Sequence, residues 1–232
     1  MGERRFWRKS GMVEAEKGNG GRARMGRPAL YTPEQMLDRL VNAAADMLDE
    51  QAADVDFSMA QVAKRAGLSK RTVYTIIASK EELISHIVQR GAESVTAILD
   101  QPVPDAASAR AVLARFLQQW ETFACGPRAV GIYVMAIRER SRYPAIGAAY
   151  YQSRNEHGLQ QLTAWLARMR TKAFFRIDDP VMTAEFALTM VAAERQRMLA
   201  LGMAAPQSPE QLAHRIAAIL QLVVPETPAV DI

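Results

Sequence analysis

Residues Ser58 to Leu83 read SMAQVAKRAGLSKRTVYTIIASKEEL and leave the backbone few choices. Ser58, with Gln61 three residues on, forms a capping box that opens a helix, and Val62, Ala63 and Ala66 give that helix one apolar side. Gly67 stands where a helix needs positive φ to stop, and Leu68 supplies the hydrophobic contact that accompanies such a cap. Ser69 then caps a second short helix, expected from Lys70 to Ala78, with Val73, Ile76 and Ile77 on its inner face. Its outer face carries Lys70, Arg71, Thr72, Tyr74 and Thr75. Ser79 and Glu82 form a further capping box, opening a longer helix whose Leu83, Ile84, Ile87 and Val88 turn inward.

Two short helices joined by a glycine turn, the second cationic and hydroxyl-rich outside, satisfy what a helix-turn-helix requires of a helix that enters a major groove. The same spacing also fits an αα-hairpin whose charged face simply meets water. Val62-Ala63, Ala66-Gly67-Leu68-Ser69, Thr72-Val73-Tyr74 and Ser79-Lys80-Glu81-Glu82-Leu83, after a first helix with an Ala-rich inner face, resemble the DNA-binding domain of TetR-family transcriptional regulators. The resemblance implies that Lys70, Arg71, Thr72 and Thr75 approach bases or phosphates. It also implies that Tyr74, Lys80 and the helix N-termini at Ser58 and Ser69 hold the phosphate backbone. Two departures stand out. Thr75-Ile76-Ile77 replaces a stretch the family makes aromatic, which removes one phosphate donor at Ile76, and Ala52-Ala53 replaces a glycine between the first two helices.

The chain has 232 residues, enough for a sizeable core, and its hydrophobic content of 49% with 23% charged residues is that of a globular protein. Its net charge of +4 suits a polyanionic partner, and its single cysteine excludes an internal disulfide and suits a reducing cytoplasm. Residues 1–28 hold eight cations against three carboxylates, with Gly18, Gly20 and Gly21 and no apolar periodicity, so a disordered basic arm is expected. Arg24 and Arg27, beside Gly26 and Pro28, are candidates for a DNA minor groove. No apolar run of signal-peptide or membrane-spanning length occurs, which points to the cytoplasm and no membrane partner.

Thr32, Pro33 and Gln35 start a first helix with Leu37, Leu40, Val41, Ala44, Met47 and Leu48 on one stripe, while Asp46, Asp49 and Glu50 face water. The helix from Lys80 is expected to run to about Leu99, before Pro102 and Pro104. From Asp105 onward every segment reads as helix; Ala129 to Ile137 is apolar enough for a buried strand but reads as a buried helix once Arg138-Glu139-Arg140 extends it. The expected organisation is all-α: a basic arm over 1–28, a helix-turn-helix domain over 29–82, a connecting helix and linker over 83–104, and a helical regulatory and dimerisation domain over 105–226.

In that second half Trp120, Phe123, Tyr133, Met135, Tyr150, Tyr151, Trp165 and Met190 are candidates to line an apolar ligand pocket, though such a stripe equally suits plain core. The last two helices are rich in alanine. Small residues permit close helix approach, and TetR proteins dimerise there, so Ala184, Ala187, Val191, Leu212, Ile216, Ile219 and Leu220 are candidates for a subunit interface; packing within one subunit is the alternative. His86, His157 and His214 lack partners at metal-ligand spacing, no catalytic set or phosphate loop can be named, and Cys125 reads as a buried thiol, so no metal, cofactor or enzymatic activity is expected. The expected function is a homodimeric repressor on a palindromic operator in double-stranded DNA, released by a small hydrophobic effector. An effector-independent regulator, or a ligand-binding protein with impaired DNA binding, remains open at this point.

Overall fold

The computed structural model describes residues 31–51, 57–203 and 207–225. Among these the chain forms eleven α-helices and no strand: α1 Pro33–Gln51, α2 Met59–Ala66, α3 Lys70–Tyr74, α4 Lys80–Thr96, α5 Ala106–Ala124, α6 Pro127–Arg138, α7 Pro144–Arg154, α8 Gln160–Thr171, α9 Pro180–Leu188, α10 Glu194–Ala200 and α11 Pro209–Val223. The basic arm with Arg24 and Arg27, and the Ala52-Ala53 link, lie outside the described residues.

The capping chemistry operates as the local sequence requires. The Gln35 amide donates to Thr32 Oγ1 over 3.2 Å and the Thr32 amide to Gln35 Oε1 over 2.9 Å. Ser58 and Gln61 exchange the same pair of bonds at α2, as do Ser208 and Gln211 at α11. Gly67 closes α2 at φ +69°, and the Leu68 amide reaches back to the Ala63 carbonyl over 2.9 Å. Asp105 caps α5 by accepting from the Ser108 amide over 2.7 Å, and this bond holds its carboxyl below the usual range.

Two helices depart from expectation. The recognition helix stops at Tyr74 rather than Ala78. Three successive β-branched residues follow, and Thr75 Oγ1 turns back to donate to the Thr72 carbonyl over 2.7 Å, while the Ala78 amide is taken by Glu82 Oε2 over 2.7 Å. The chain therefore tightens into a turn before Ser79 starts α4. The second departure is a π turn at Asn155–Leu159, which interrupts the continuous helix expected from Pro144 to about Arg170; another, at Thr189–Ala193, separates α9 from α10.

Two hydrophobic cores result. One gathers α5, α8, α9 and α11 around Phe116, Trp120, Leu162 and Trp165. The other lies under the helix-turn-helix, with Leu40, Leu48, Val62, Val73, Ile77 and Ile84. It is completed by Ile132 and Met135 from α6 and Ile146 from α7, so helices from the second half of the chain close the core of the first. Phe123 packs against both.

The last helices correct the interface assignment. Ala184, Ala187, Val191, Leu212, Ile216, Ile219 and Leu220 are all buried inside the subunit, at exposures of 0 to 9%, and belong to its own core. Ala184 and Ala187 let α9 approach the rest of the same subunit, the packing alternative that the sequence left open, whereas Ala213, Ala217 and Ala218 of α11 are exposed.

Gly67 and Ala173 make a test of the left-handed caps. Both have positive φ, +69° and +59°, yet only one is a glycine. Gly67→Ala is expected to destabilise the protein by about 1 kcal/mol and Ala173→Gly to stabilise it by a similar amount, read as opposite shifts in urea midpoint.

Candidate nucleic-acid interface and a chamber behind it

The outer face of α3 is built by its inner one. Val73 and Ile77 are fully buried, which fixes the rotation of a helix too short to be stable alone and turns Lys70, Arg71, Tyr74 and Thr75 outward. Tyr74 is 57% exposed, and Lys70 and Arg71 carry no ion pair among the described residues. Thr72 is half-buried, and its hydroxyl lies 2.8 Å from that of Ser69, which also accepts from the Thr72 amide. Thr75 has spent its proton on the Thr72 carbonyl, so towards a base edge it offers an acceptor and a methyl group.

Ser58 and Ser69 are exposed at the N-termini of α2 and α3, each occupied as a cap. Lys80, at the start of α4, is held with its ammonium 4.6 Å from the centre of the Phe57 ring. Ile76 is half-buried against the helix-turn-helix core, so the residue that replaces a phosphate donor serves packing instead.

Arginines fasten the helices of this head to one another and to the rest of the chain. Arg65 of α2 makes a two-pronged contact with Glu50 of α1, which holds the Glu50 carboxyl below its usual range. Arg90 of α4 donates to Asp38 and Asn42 of α1, and Arg128 of α6 to both carboxylate oxygens of Asp49, at 3.2 and 2.6 Å.

Immediately behind α1 is a chamber of about 180 Å³, bounded by α4, α5, α6 and α7. Trp120, Phe123 and Tyr150 supply aromatic walls, with Ile87, Val88 and Ile132 between them; Asp49 and Arg128 stand at its rim. Two glycines make space for the rings. A Cβ on Gly158, in the first π turn, would collide with the Trp120 ring, and one on Gly91 with the Phe123 ring. Tyr150 is anchored from behind: its hydroxyl bonds to the side chain of buried Gln196, which also donates to the Ala124 carbonyl over 2.5 Å. Beside Gln196, Arg195 pairs at 3.0 Å with buried Glu121.

Of the eight residues singled out as pocket candidates, the structure brings Trp120, Phe123 and Tyr150 together around this space. Tyr133 lies behind Tyr150 with ring centres 6.1 Å apart, Met135 is buried under the helix-turn-helix, and Trp165 is fully buried against Phe175. Tyr151 and Met190 are at the surface, 63% and 37% exposed. The sequence reading missed Asp49, Arg128 and Gly91. Asp49 and Arg128 are 79 positions apart, and no local pattern marks them as neighbours.

Among the described residues no group of three or more His, Cys, Asp or Glu side chains is placed to hold a metal, and no helix is long and apolar enough to cross a membrane.

A cationic recognition helix projecting from an all-α chain, with an aromatic-walled chamber between α1, α4, α5, α6 and α7, defines a helix-turn-helix regulator. Residues 111–224 match the family model for the C-terminal domain of AefR-like transcriptional repressors. Among solved structures, the flavonoid-responsive regulator FrrA is 27% identical over 82% of this chain and 95% of its own, with a TM-score of 0.59. A protein from Mesorhizobium loti assigned to the TetR regulators is 20% identical over 83% of this chain and 98% of its own, TM-score 0.64. RolR in complex with resorcinol is 19% identical over 82% and 88%, TM-score 0.56. Among curated protein sequences nothing matches at a significant level. The chain belongs to the TetR family of transcriptional regulators.

Cys125 sits at the end of α5 with its sulfur 3.7 Å from the Ala192 carbonyl. Burial, reinforced by the Glu121 carboxylate, pushes its thiol up to about 12. Since the thiolate is the reactive form, Cys125 is expected to resist iodoacetamide at pH 8 in the folded protein and to react in urea, as mass spectrometry would show.

Proposed function

We propose that this TetR-family regulator is a repressor that binds a palindromic operator as a homodimer and leaves it when a small hydrophobic effector occupies the chamber. The observation that carries the reading is the outward cationic face of α3 set by buried Val73 and Ile77. Lys70, Arg71, Thr72 and Thr75 read base edges. Tyr74, Lys80 and the N-termini at Ser58 and Ser69 hold phosphates, and Arg24 and Arg27 reach an adjacent minor groove. In this reading residues 29–82 read DNA, 83–104 connect, and 105–226 sense and dimerise, in the cytoplasm. Two-fold symmetry places half-sites about 34 Å apart or at a multiple of that distance.

The dimer face lies on the outside of the last helices. Val181, Met182, Phe186 and Met190 are exposed apolar residues along α9 and its π turn, and Leu222 on α11 is 72% exposed. That is an unusual amount of large apolar surface for one end of a subunit. The flavonoid response of FrrA and the resorcinol bound to RolR make an aromatic effector the natural occupant of a chamber walled by Trp120, Phe123 and Tyr150.

Fluorescence anisotropy with DNA from upstream of the protein's own gene tests the interface. Arg71→Ala is expected to cost about 1–3 kcal/mol and to relax selectivity at one operator position, whereas Lys80→Ala weakens all sequences alike and lowers the salt slope by about one. Binding indifferent to sequence and to both variants would overturn the reading. Phe186→Glu is expected to yield monomers by light scattering and to abolish operator binding. A dimer that persists in this variant would exclude the α9 face.

A further inference from the structure

We propose that the chamber takes a small planar aromatic bearing an acidic group, a carboxylate or phenolate, and that binding transfers Arg128 from Asp49 to the ligand, untying α6 from α1. This rests on the effector-responsive reading above and gives it a ligand class and a route.

Size limits the occupant first. About 180 Å³ is close to the roughly 150 Å³ cavity that holds a benzene ring, and far below what a fused polycyclic ligand fills. The walls favour a flat ring, because Trp120, Phe123 and Tyr150 present three aromatic faces and edges. The polar end is Arg128, whose guanidinium matches a carboxylate with two parallel hydrogen bonds.

Its present partner holds it weakly. Both side chains of the Arg128–Asp49 pair are substantially exposed, at 39% and 44%, so a competing anion has little to displace. Beyond Phe123 a wider groove of about 780 Å³ adjoins the chamber and shares Arg128 with it. Arg90, paired with Asp38 of α1, and Arg115, which donates to the neutral Gln101 amide, also line this groove. Arg115 therefore supplies positive charge on the side from which an anion reaches the chamber. Phe123 is the partition between the two spaces, and the missing side chain at Gly91 is what lets its ring lie there.

The consequence reaches the DNA face because Asp49 is on α1, which packs against α2 and α4, while Arg128 is in the first turn of α6. A ligand that keeps the arginine loosens the head; a neutral ring of the same shape leaves the pair intact.

Calorimetric titration of the full chain with benzoate and with its neutral counterpart benzamide tests this without DNA, so that failure of operator binding and failure of this inference are separable. Benzoate is expected to bind more tightly than benzamide. Asp49→Asn, which removes the competitor, is expected to tighten benzoate about two- to fivefold and leave benzamide unchanged. Arg128→Gln is expected to erase the preference for benzoate while benzamide still binds, which also shows that the chamber is intact. Amide exchange in the C-terminal half of α1 is expected to rise with benzoate in the wild type and to be already raised in ligand-free Asp49→Asn. Equal affinity of the wild type for the two probes, no binding of either, or no tightening in Asp49→Asn would overturn the proposal.

Discussion

Ile132, Met135 and Ile146 close the core under the helix-turn-helix, and each is at most 1% exposed. They come from α6 and α7, yet they fill the same space as Leu40, Leu48, Val62 and Ile84. Burying a side chain of this size stabilises by roughly 1.5–3 kcal/mol, so the reading head depends on the second half of the chain for part of its stability. A head closed by its own three helices could bind DNA in ignorance of the rest of the protein. This one cannot shift without α6 and α7 sensing it.

The same seam holds the chamber. Its aromatic walls belong to α5 and α7, its apolar floor to α4 and α6, and its rim to an ion pair that joins α6 to α1. Closely packed interiors do not deform continuously, so the proposed effector would act by choosing between discrete arrangements of these helices. To move occupancy from nearly full to nearly empty it must favour one arrangement by about 5.5 kcal/mol. One exposed ion pair supplies only a fraction of that; the remainder falls to ring burial against Trp120, Phe123 and Tyr150.

What the sequence made legible was local. Ser58, Gln61, Gly67, Ser69 and Ser79 state where helices begin and stop within a few residues of themselves, which is why the helix-turn-helix could be placed from sequence. The early end of α3 was missed because the inward spacing of Ile76 and Ile77 outweighed three β-branched residues in a row. The alanines of α9 misled because small residues permit close approach without saying to which neighbour; burial at 0 to 1% for Ala184 and Ala187 answers for the same subunit, while Ala213, Ala217 and Ala218 of α11 are exposed. Pocket candidates chosen by residue type mixed the walls with the core. Trp120 and Trp165 are alike in sequence and equally buried, and only the fold decides that Trp120 borders the chamber while Trp165 packs against Phe175. Asp49, read as a solvent-facing carboxylate, is held by an arginine that no short-range signal could bring to it.

The claim that the head is positioned by its seam with the second half is tested most directly by the distance between the two heads of the proposed dimer. A spin label on exposed Lys64→Cys, in a chain whose single native cysteine is removed by Cys125→Ala, reports that distance by pulsed dipolar spectroscopy. The expected result is one narrow distribution for the intact protein, displaced or broadened when Ile132→Ala opens the core that α6 closes under the head. A distribution left unchanged by that substitution, or no dipolar coupling at all, would contradict it.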